Sequence, residues 1–352
     1  MSLSKINVKG LLLLTLCFFS AHLLGQDTSA SKTAAEQNAE IAKRTGIAPH
    51  ESLDSLALAP GQLAAKLVIP GETASTDTFT RELVQVQWRF MDPIDLYVIR
   101  PKGVAKPHVV LYLYGYPTEI PRFRDEGYCQ RITSGGVAAI GFVSAMTGQR
   151  YHDRPMKEWF VSELPEALTI SVHDVQMVLT YLQKRGDFDL NDVGIFGQGS
   201  GGTIALLAAS VDPRIRAVDV LDPWGDWPQW LAKSGLVPDR ERDTYLKPAF
   251  LASVAPLDPT KYLPKLTQQA VRLQYRSDDP VTPSDVAANI ASAAPPNAKV
   301  VHYASGKDLY TQTSGGRLFD WIKNQLKADK SSPYSSSARA GSAASDAKRL
   351  QE

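Results

Sequence analysis

Val193-Gly194-Ile195-Phe196-Gly197-Gln198-Gly199-Ser200-Gly201-Gly202-Thr203 is the stretch whose reading decides the fold. An apolar strand, Val193 to Phe196, runs into a cluster of glycines. The chain then passes straight into an Ala- and Leu-rich helix, Thr203 to Ser210. Phosphate-binding loops share such a turn, but they carry a Lys followed by Ser or Thr, or they follow the first strand of a dinucleotide-binding sheet. Neither holds here. No Lys-Ser or Lys-Thr pair follows, and the strand is the fifth of eight expected strands.

Working outward, Val84, Val86, Trp88 and Phe90 alternate with Gln85, Gln87 and Arg89, the period of a half-buried strand. Asp92-Pro93 turns the chain into a second strand, Leu96 to Ile99, so the domain opens on a hairpin. Beyond it come Val109 to Tyr114, Val137 to Val143, Val193 to Phe196, Ala217 to Leu221, Val271 to Tyr275 and Lys299 to Tyr303. Continuous apolar runs of this kind suit parallel strands covered on both faces. Leu168, Val172, Val175, Leu179 and Leu182 place one apolar stripe on a helix that Gly186 stops. The expectation is a mixed, mostly parallel α/β sheet of eight strands with flanking helices. Residues 222–265 are long for a single connection. They hold Trp224, Trp227 and Trp230 and read as a small helical lid.

The strand–glycine–helix turn resembles the nucleophile elbow, G-x-S-x-G, of α/β-hydrolases. The resemblance covers about residues 80–328 and is strongest to secreted prolyl-oligopeptidase-like and dienelactone-hydrolase-like members. At such an elbow the residues two before and two after the nucleophile nearly touch and must be small. With position 199 at the apex these are Gly197 and Gly201; with Ser200 there they are Gln198 and Gly202. The first register fits, and it puts Gly199 where the family carries Ser, Cys or Asp. Ser200 is then a hydroxyl at the helix start.

The resemblance implies two more site positions. Arg276-Ser277-Asp278-Asp279-Pro280-Val281-Thr282-Pro283 matches the loop of the family's acid and points to Asp279, with Asp278 as second choice. Tyr303-Ala304-Ser305-Gly306-Lys307 matches the loop of the catalytic histidine, whose place Lys307 takes. A lysine titrates near ~10.4 and is a charged donor at neutral pH, so it cannot accept a proton unless strongly desolvated. A salt or water bridge between Lys307 and Asp279 is expected, and so is partial recovery of hydrolysis with serine at 199 and histidine at 307. On the oxyanion side, Tyr114-Gly115-Tyr116-Pro117 offers the Tyr116 amide, and Ser200 would supply the second. Trp224 and Trp227 are candidate ligand contacts.

The remaining histidines carry weaker readings. His302 reads as a packed strand residue, and His173 with Asp174 as a solvated helix face. His152 and Asp153, in the loop 148–155, could line the cleft; His50 lies in the lead-in and His108 starts the third strand. No Cys or His pair has zinc-site spacing, so neither metal nor cofactor is expected.

Lys5 and Lys9 precede an apolar stretch, Leu11 to Leu24, that is short for a membrane span and suits a secretory signal over residues 1–26. A helical lead-in (27–60), one domain (61–328) and a disordered tail (329–352) complete the expected organisation. Of the two cysteines only Cys129 would survive cleavage, leaving no internal disulfide. With 38 Lys plus Arg against 37 Asp plus Glu, the net charge of +1 argues against nucleic acid or an anionic membrane as main partner. The N-terminal segment therefore points to a secreted or periplasmic protein with no membrane attachment after cleavage.

Three functions are compatible with these residues. One is a degenerate hydrolase that binds a small-molecule or peptide ligand. Another is an active esterase or peptidase using Ser200 with Lys307 as base. The last is an interaction protein with a vestigial cleft and its lid as the contact surface.

Overall fold

The structure, a computed structural model, describes residues 51–58, 65, 67–90, 92–115, 121–146 and 160–326, with the single positions 36, 40, 43 and 44. The signal segment 1–26, most of the lead-in, the tail 329–352, His50, Tyr116, His152 and Asp153 lie outside the described residues.

Nine strands are present among the described residues: β1 (Leu67–Ser75), β2 (Phe79–Arg89), β3 (Asp92–Pro101), β4 (His108–Leu113), β5 (Ala138–Phe142), β6 (Asp189–Gln198), β7 (Ile215–Leu221), β8 (Ala270–Arg276) and β9 (Lys299–Tyr303). They form one sheet in the order β1-β2-β3-β5-β4-β6-β7-β8-β9. β1, β2, β3 and β5 pair antiparallel, and every pair from β5 to β9 is parallel. All eight expected strands are there; β1 is the addition. Its Leu67, Val68 and Ile69 are all exposed at the sheet edge, so no period-2 burial pattern marked it, and Pro70 interrupted the run.

Around the sheet lie α1 (Glu126–Thr133), α2 (Leu164–Arg185), α3 (Ser200–Val211), α4 (Trp227–Lys233), α5 (Asp239–Tyr245), α6 (Pro248–Val254), α7 (Ser284–Ser292), α8 (Gly306–Thr313) and α9 (Asp320–Gln325). β4 shows why its sequence is apolar throughout. Val109, Leu111 and Leu113 join the cluster that contains α2 and α3, while Val110 and Tyr112 join the opposite cluster with Phe123, Phe196 and Phe319. The stripe expected on α2 is wholly buried, and Gly186 ends the helix at φ 74 with its N–H on the Leu182 carbonyl. None of the described helices is long and apolar enough to cross a membrane.

One expectation is corrected here. His173 and Asp174 are not solvated; both are 0% exposed. Residues 51–58 lie over α2 as a strap, and Arg89 from the end of β2 reaches in beside it. His173 Nδ1 meets Glu51 Oε1 at 2.7 Å and its Nε2 meets the Ser55 carbonyl at 2.7 Å. Asp174 accepts from Arg89 at 2.6 Å and from the Trp88 indole at 3.3 Å. Helix periodicity located α2's apolar stripe but carried no information about the partners crossing its other side.

Residues 222–265 do contain α4, α5 and α6 between β7 and β8. Their tryptophans, however, are core: Trp224 and Trp227 are 1% exposed and Trp230 0%.

Candidate active site

β6 ends at Gln198 and α3 begins at Ser200, so the chain reverses at Gly199, with φ 57 and ψ −126. That backbone region is open to glycine and strained for any residue with a Cβ. Its neighbours must be small, because the turn is tight. A Cβ on Gly197 would sit 2.3 Å from the Gly201 carbonyl oxygen, and one on Gly201 would sit 2.5 Å from that of Leu113. The apex is tied to the sheet by the Gly199 N–H on the Leu221 carbonyl at 2.9 Å. Ser200 is 0% exposed in the first turn of α3.

A Cβ placed on Gly199 would lie 3.4 Å from Trp224 Nε1 and 3.7 Å from Gly115 Cα. The end of β4 thus packs against one side of the apex and the Trp224 indole covers another. Space exists for a side chain; the backbone is what resists it. Gly199→Ser is expected to lose about 1–3 kcal/mol of stability, the cost of a strained non-glycine residue. Urea denaturation at pH 7 measures this, and unchanged stability would mean that the apex does not demand glycine.

Trp224 is held in place by both neighbours and core. Its carbonyl accepts from Thr203 Oγ1 at 2.8 Å, and its N–H donates to the same hydroxyl at 2.9 Å. The indole stacks on Trp230 at 4.8 Å and 28°, and Trp227 meets Trp230 edge-on at 5.8 Å and 90°. On either side, Asp222 and Asp226 have φ values of 48 and 49, the two positive-φ non-glycine residues among those described.

The acid position follows β8. Asp279 is buried, accepting from Arg276 Nη2 at 2.6 Å and from the Thr282 amide at 2.9 Å. Arg276 also donates its backbone N–H and Nε to Asp222 at 2.8 and 2.5 Å, so one guanidinium joins two carboxylates. Burial pushes the Asp222 carboxyl up to about 6, with the bonds from Arg276 working in the opposite direction.

Lys307 does not meet Asp279. It is exposed on the first turn of α8, and no ion pair joins it to Asp278 or Asp279. The Gly306 amide instead donates to Asp278 at 3.0 Å. The expected salt bridge is therefore replaced by Arg276, which lies three residues before Asp279 and reaches it from within the same loop. Only the i,i+3 spacing of Arg276 and Asp279 hinted at this, and nothing in the sequence joined Asp222 to them.

The described histidines, His108, His173 and His302, have partners of their own. His108 lies 3.7 Å from Asp189, His173 is held by the strap, and His302 stacks its exposed ring on Tyr275 at 5.7 Å. His302, expected as a packed strand residue, does pack on Tyr275 but keeps its outer side exposed, because β9 is an edge strand of the sheet. Cys129 is buried, gives its thiol proton to the Phe123 carbonyl at 3.1 Å, and has its pKa raised by burial. Among the described residues no cluster of three or more His, Cys, Asp or Glu is placed to hold a metal ion.

No family model matches this chain, and no curated protein matches it either. Solved structures do. The acetyl xylan esterase from Paenibacillus sp. R4 superposes with a TM-score of 0.59 at 14% identity, over 74% of this chain and 88% of that one. The Pyrococcus horikoshii acylaminoacyl peptidase gives 0.57 at 15% identity, over 73% of this chain and 43% of its own. Est1E from Butyrivibrio proteoclasticus, with ferulic acid bound, gives 0.50 at 16%, over 67% and 97%. At these identities the likeness is one of fold: the chain has the α/β-hydrolase fold, with an additional strand at the sheet edge.

Proposed function

We propose that this chain is an exported α/β-hydrolase-fold protein that has given up triad chemistry and binds a small carbonyl- or carboxylate-bearing ligand at the end of β6. The observation that carries this reading is Gly199 at the apex with φ 57. Acyl transfer through a triad needs a hydroxyl or thiol at that point, a neutral base beside it and an acid orienting the base. Here the apex has no side chain, Lys307 faces solvent, and Asp279 is bound by Arg276. Ser200 is a poor substitute nucleophile, since it is buried in the first turn of α3. The reading of export rests on residues 1–26.

Ligand class is inferred from the neighbours. The fold is shared with an acetyl xylan esterase, a peptidase and an esterase holding ferulic acid, so a small acyl compound is the natural candidate. The test is a fluorophosphonate probe on the wild-type protein. No covalent adduct is expected by mass spectrometry, and stoichiometric labelling of Ser200 would replace this reading with an active serine hydrolase.

A further inference from the structure

Residues 51–58 cross α2 with little apolar burial to hold them. Among them Leu56 alone is buried, entering the cluster that contains α2 and α3. The remaining attachments are polar. Gln176 Nε2 donates to the Leu56 carbonyl at 2.8 Å, and its Oε1 accepts from the Leu58 amide at 3.2 Å. Glu51 takes Nε and Nη2 of Arg89 on its two oxygens, and His173 bridges Glu51 Oε1 and the Ser55 carbonyl.

The contacts of His173 require a charged ring. A neutral imidazole has one N–H and one bare nitrogen; only the imidazolium donates from both. Here each ring nitrogen meets an oxygen at 2.7 Å, a carboxylate on one side and a backbone carbonyl on the other. The carbonyl has no proton to give. Against the effect of its burial, hydrogen bonds from His173 and Arg89 hold the Glu51 carboxyl well below the usual carboxylate range, so it too is an acceptor at neutral pH. Removing one ring proton would set a nitrogen lone pair against an oxygen lone pair at a residue that is 0% exposed. It would also leave Arg89 as the one cation of this cluster, among the described residues, against Glu51, Asp92 and Asp174.

We infer that His173 is a proton-dependent latch: its imidazolium clasps residues 51–58 to α2, and loss of the ring proton releases them. The sheet does not depend on the clasp, because the strap belongs to no strand. The latched state holds one proton more than the released state, so rising pH favours release. The charged groups on the elements around the ring confine the response to His173. Glu51 and Asp54 lie on the strap, Arg89 on β2, Asp92 on β3, Glu163 just before α2, and Glu166 and Asp174 on α2 itself. Carboxylates titrate in acid and guanidinium in strong base. α3 and α6, which also pack on α2, carry no titratable side chain.

Backbone amide exchange of the full chain tests the latch, read as protection factors after correction for the base catalysis of exchange itself. The Leu58 amide is the reporter and the amides of β4 are the control. From about pH 6 to about pH 9.5 Leu58 protection is expected to fall, reaching a slope of about tenfold per pH unit, that of one proton, while β4 protection holds. The ¹⁵N shifts of the His173 ring give an independent reading. Both nitrogens are expected to carry protons at about pH 6, and one proton is lost over the range in which Leu58 opens. His173→Gln, whose amide has no proton to lose, is expected to flatten the Leu58 profile. Constant Leu58 protection, a parallel fall at Leu58 and β4, a neutral ring at about pH 6, or an unchanged slope in His173→Gln overturns the latch. Should His173→Gln not fold, the two wild-type measurements decide alone.

Discussion

Arg89→Met is expected to destabilise the protein by about 3–5 kcal/mol, the cost of removing one partner from a buried charge network. Arg89 is nearly buried, with its side chain 4% exposed beside Asp174 at 0%. It gives Nη1 to Asp174 at 2.6 Å, and Nε and Nη2 to the two oxygens of Glu51 at 2.7 Å each. Without it, the buried Asp174 carboxylate loses its guanidinium partner while keeping the Trp88 indole, and the strap loses the Arg89–Glu51 pair. Thermal and urea denaturation measure the loss, and a change under 1 kcal/mol would show that water enters and resolvates the cluster.

The same network sets a pH dependence. Burial opposes the Glu51 carboxylate, yet hydrogen bonds from His173 and Arg89 and the charge of Arg89 hold its pKa well below the ordinary 4.5. A carboxyl with a depressed folded pKa stabilises the fold above its unfolded pKa, and that contribution is lost as pH falls. Glu51→Gln should therefore be most damaging near pH 7, with its deficit against wild type shrinking below pH 4.5.

The second large effect is catalytic. Wild type is expected to hydrolyse p-nitrophenyl acetate on the order of 10⁶-fold more slowly than a working triad enzyme, the scale of loss when triad members are removed. Gly199→Ser with Lys307→His is expected to remain within about tenfold of wild type, because a triad acts as a unit and this pair completes none. A serine at 199 would face Trp224, a histidine at 307 would start from an exposed position, and Asp279 would still be bound to Arg276. This reverses what the sequence predicts, which is partial recovery from those two substitutions. Stopped-flow assay of acyl-enzyme formation decides it: a burst of one p-nitrophenolate per double-variant chain would restore the sequence-based expectation and remove Arg276 from the argument.

Local chemistry was legible in the sequence wherever short-range geometry imposed it. The order Phe196-Gly197-Gln198-Gly199-Ser200-Gly201 determined the strand, the apex and the first turn of α3, because crowding in a turn that tight leaves room for hydrogen alone at 197 and 201. The two-faced strands were legible as unbroken apolar runs, since a strand covered on both sides cannot alternate. β1 was not, because an outer strand with both faces exposed has no pattern to display.

Only the tertiary structure decided what each charged or aromatic side chain meets. Lys307 and Asp279 follow neighbouring strands β9 and β8 and were expected to pair. Arg276, nearer to Asp279 along the chain and already bonded to Asp222, holds that carboxylate instead. His173 and Asp174 read as surface until residues more than 80 positions away, Glu51 and Arg89, were brought against them. Trp224 read as lid until its ring was found on the apex of the turn. Backbone conformation depends on neighbours a few residues apart, so sequence carries it. A long side chain's partner is whichever group the assembled fold delivers first, and no local pattern encodes that.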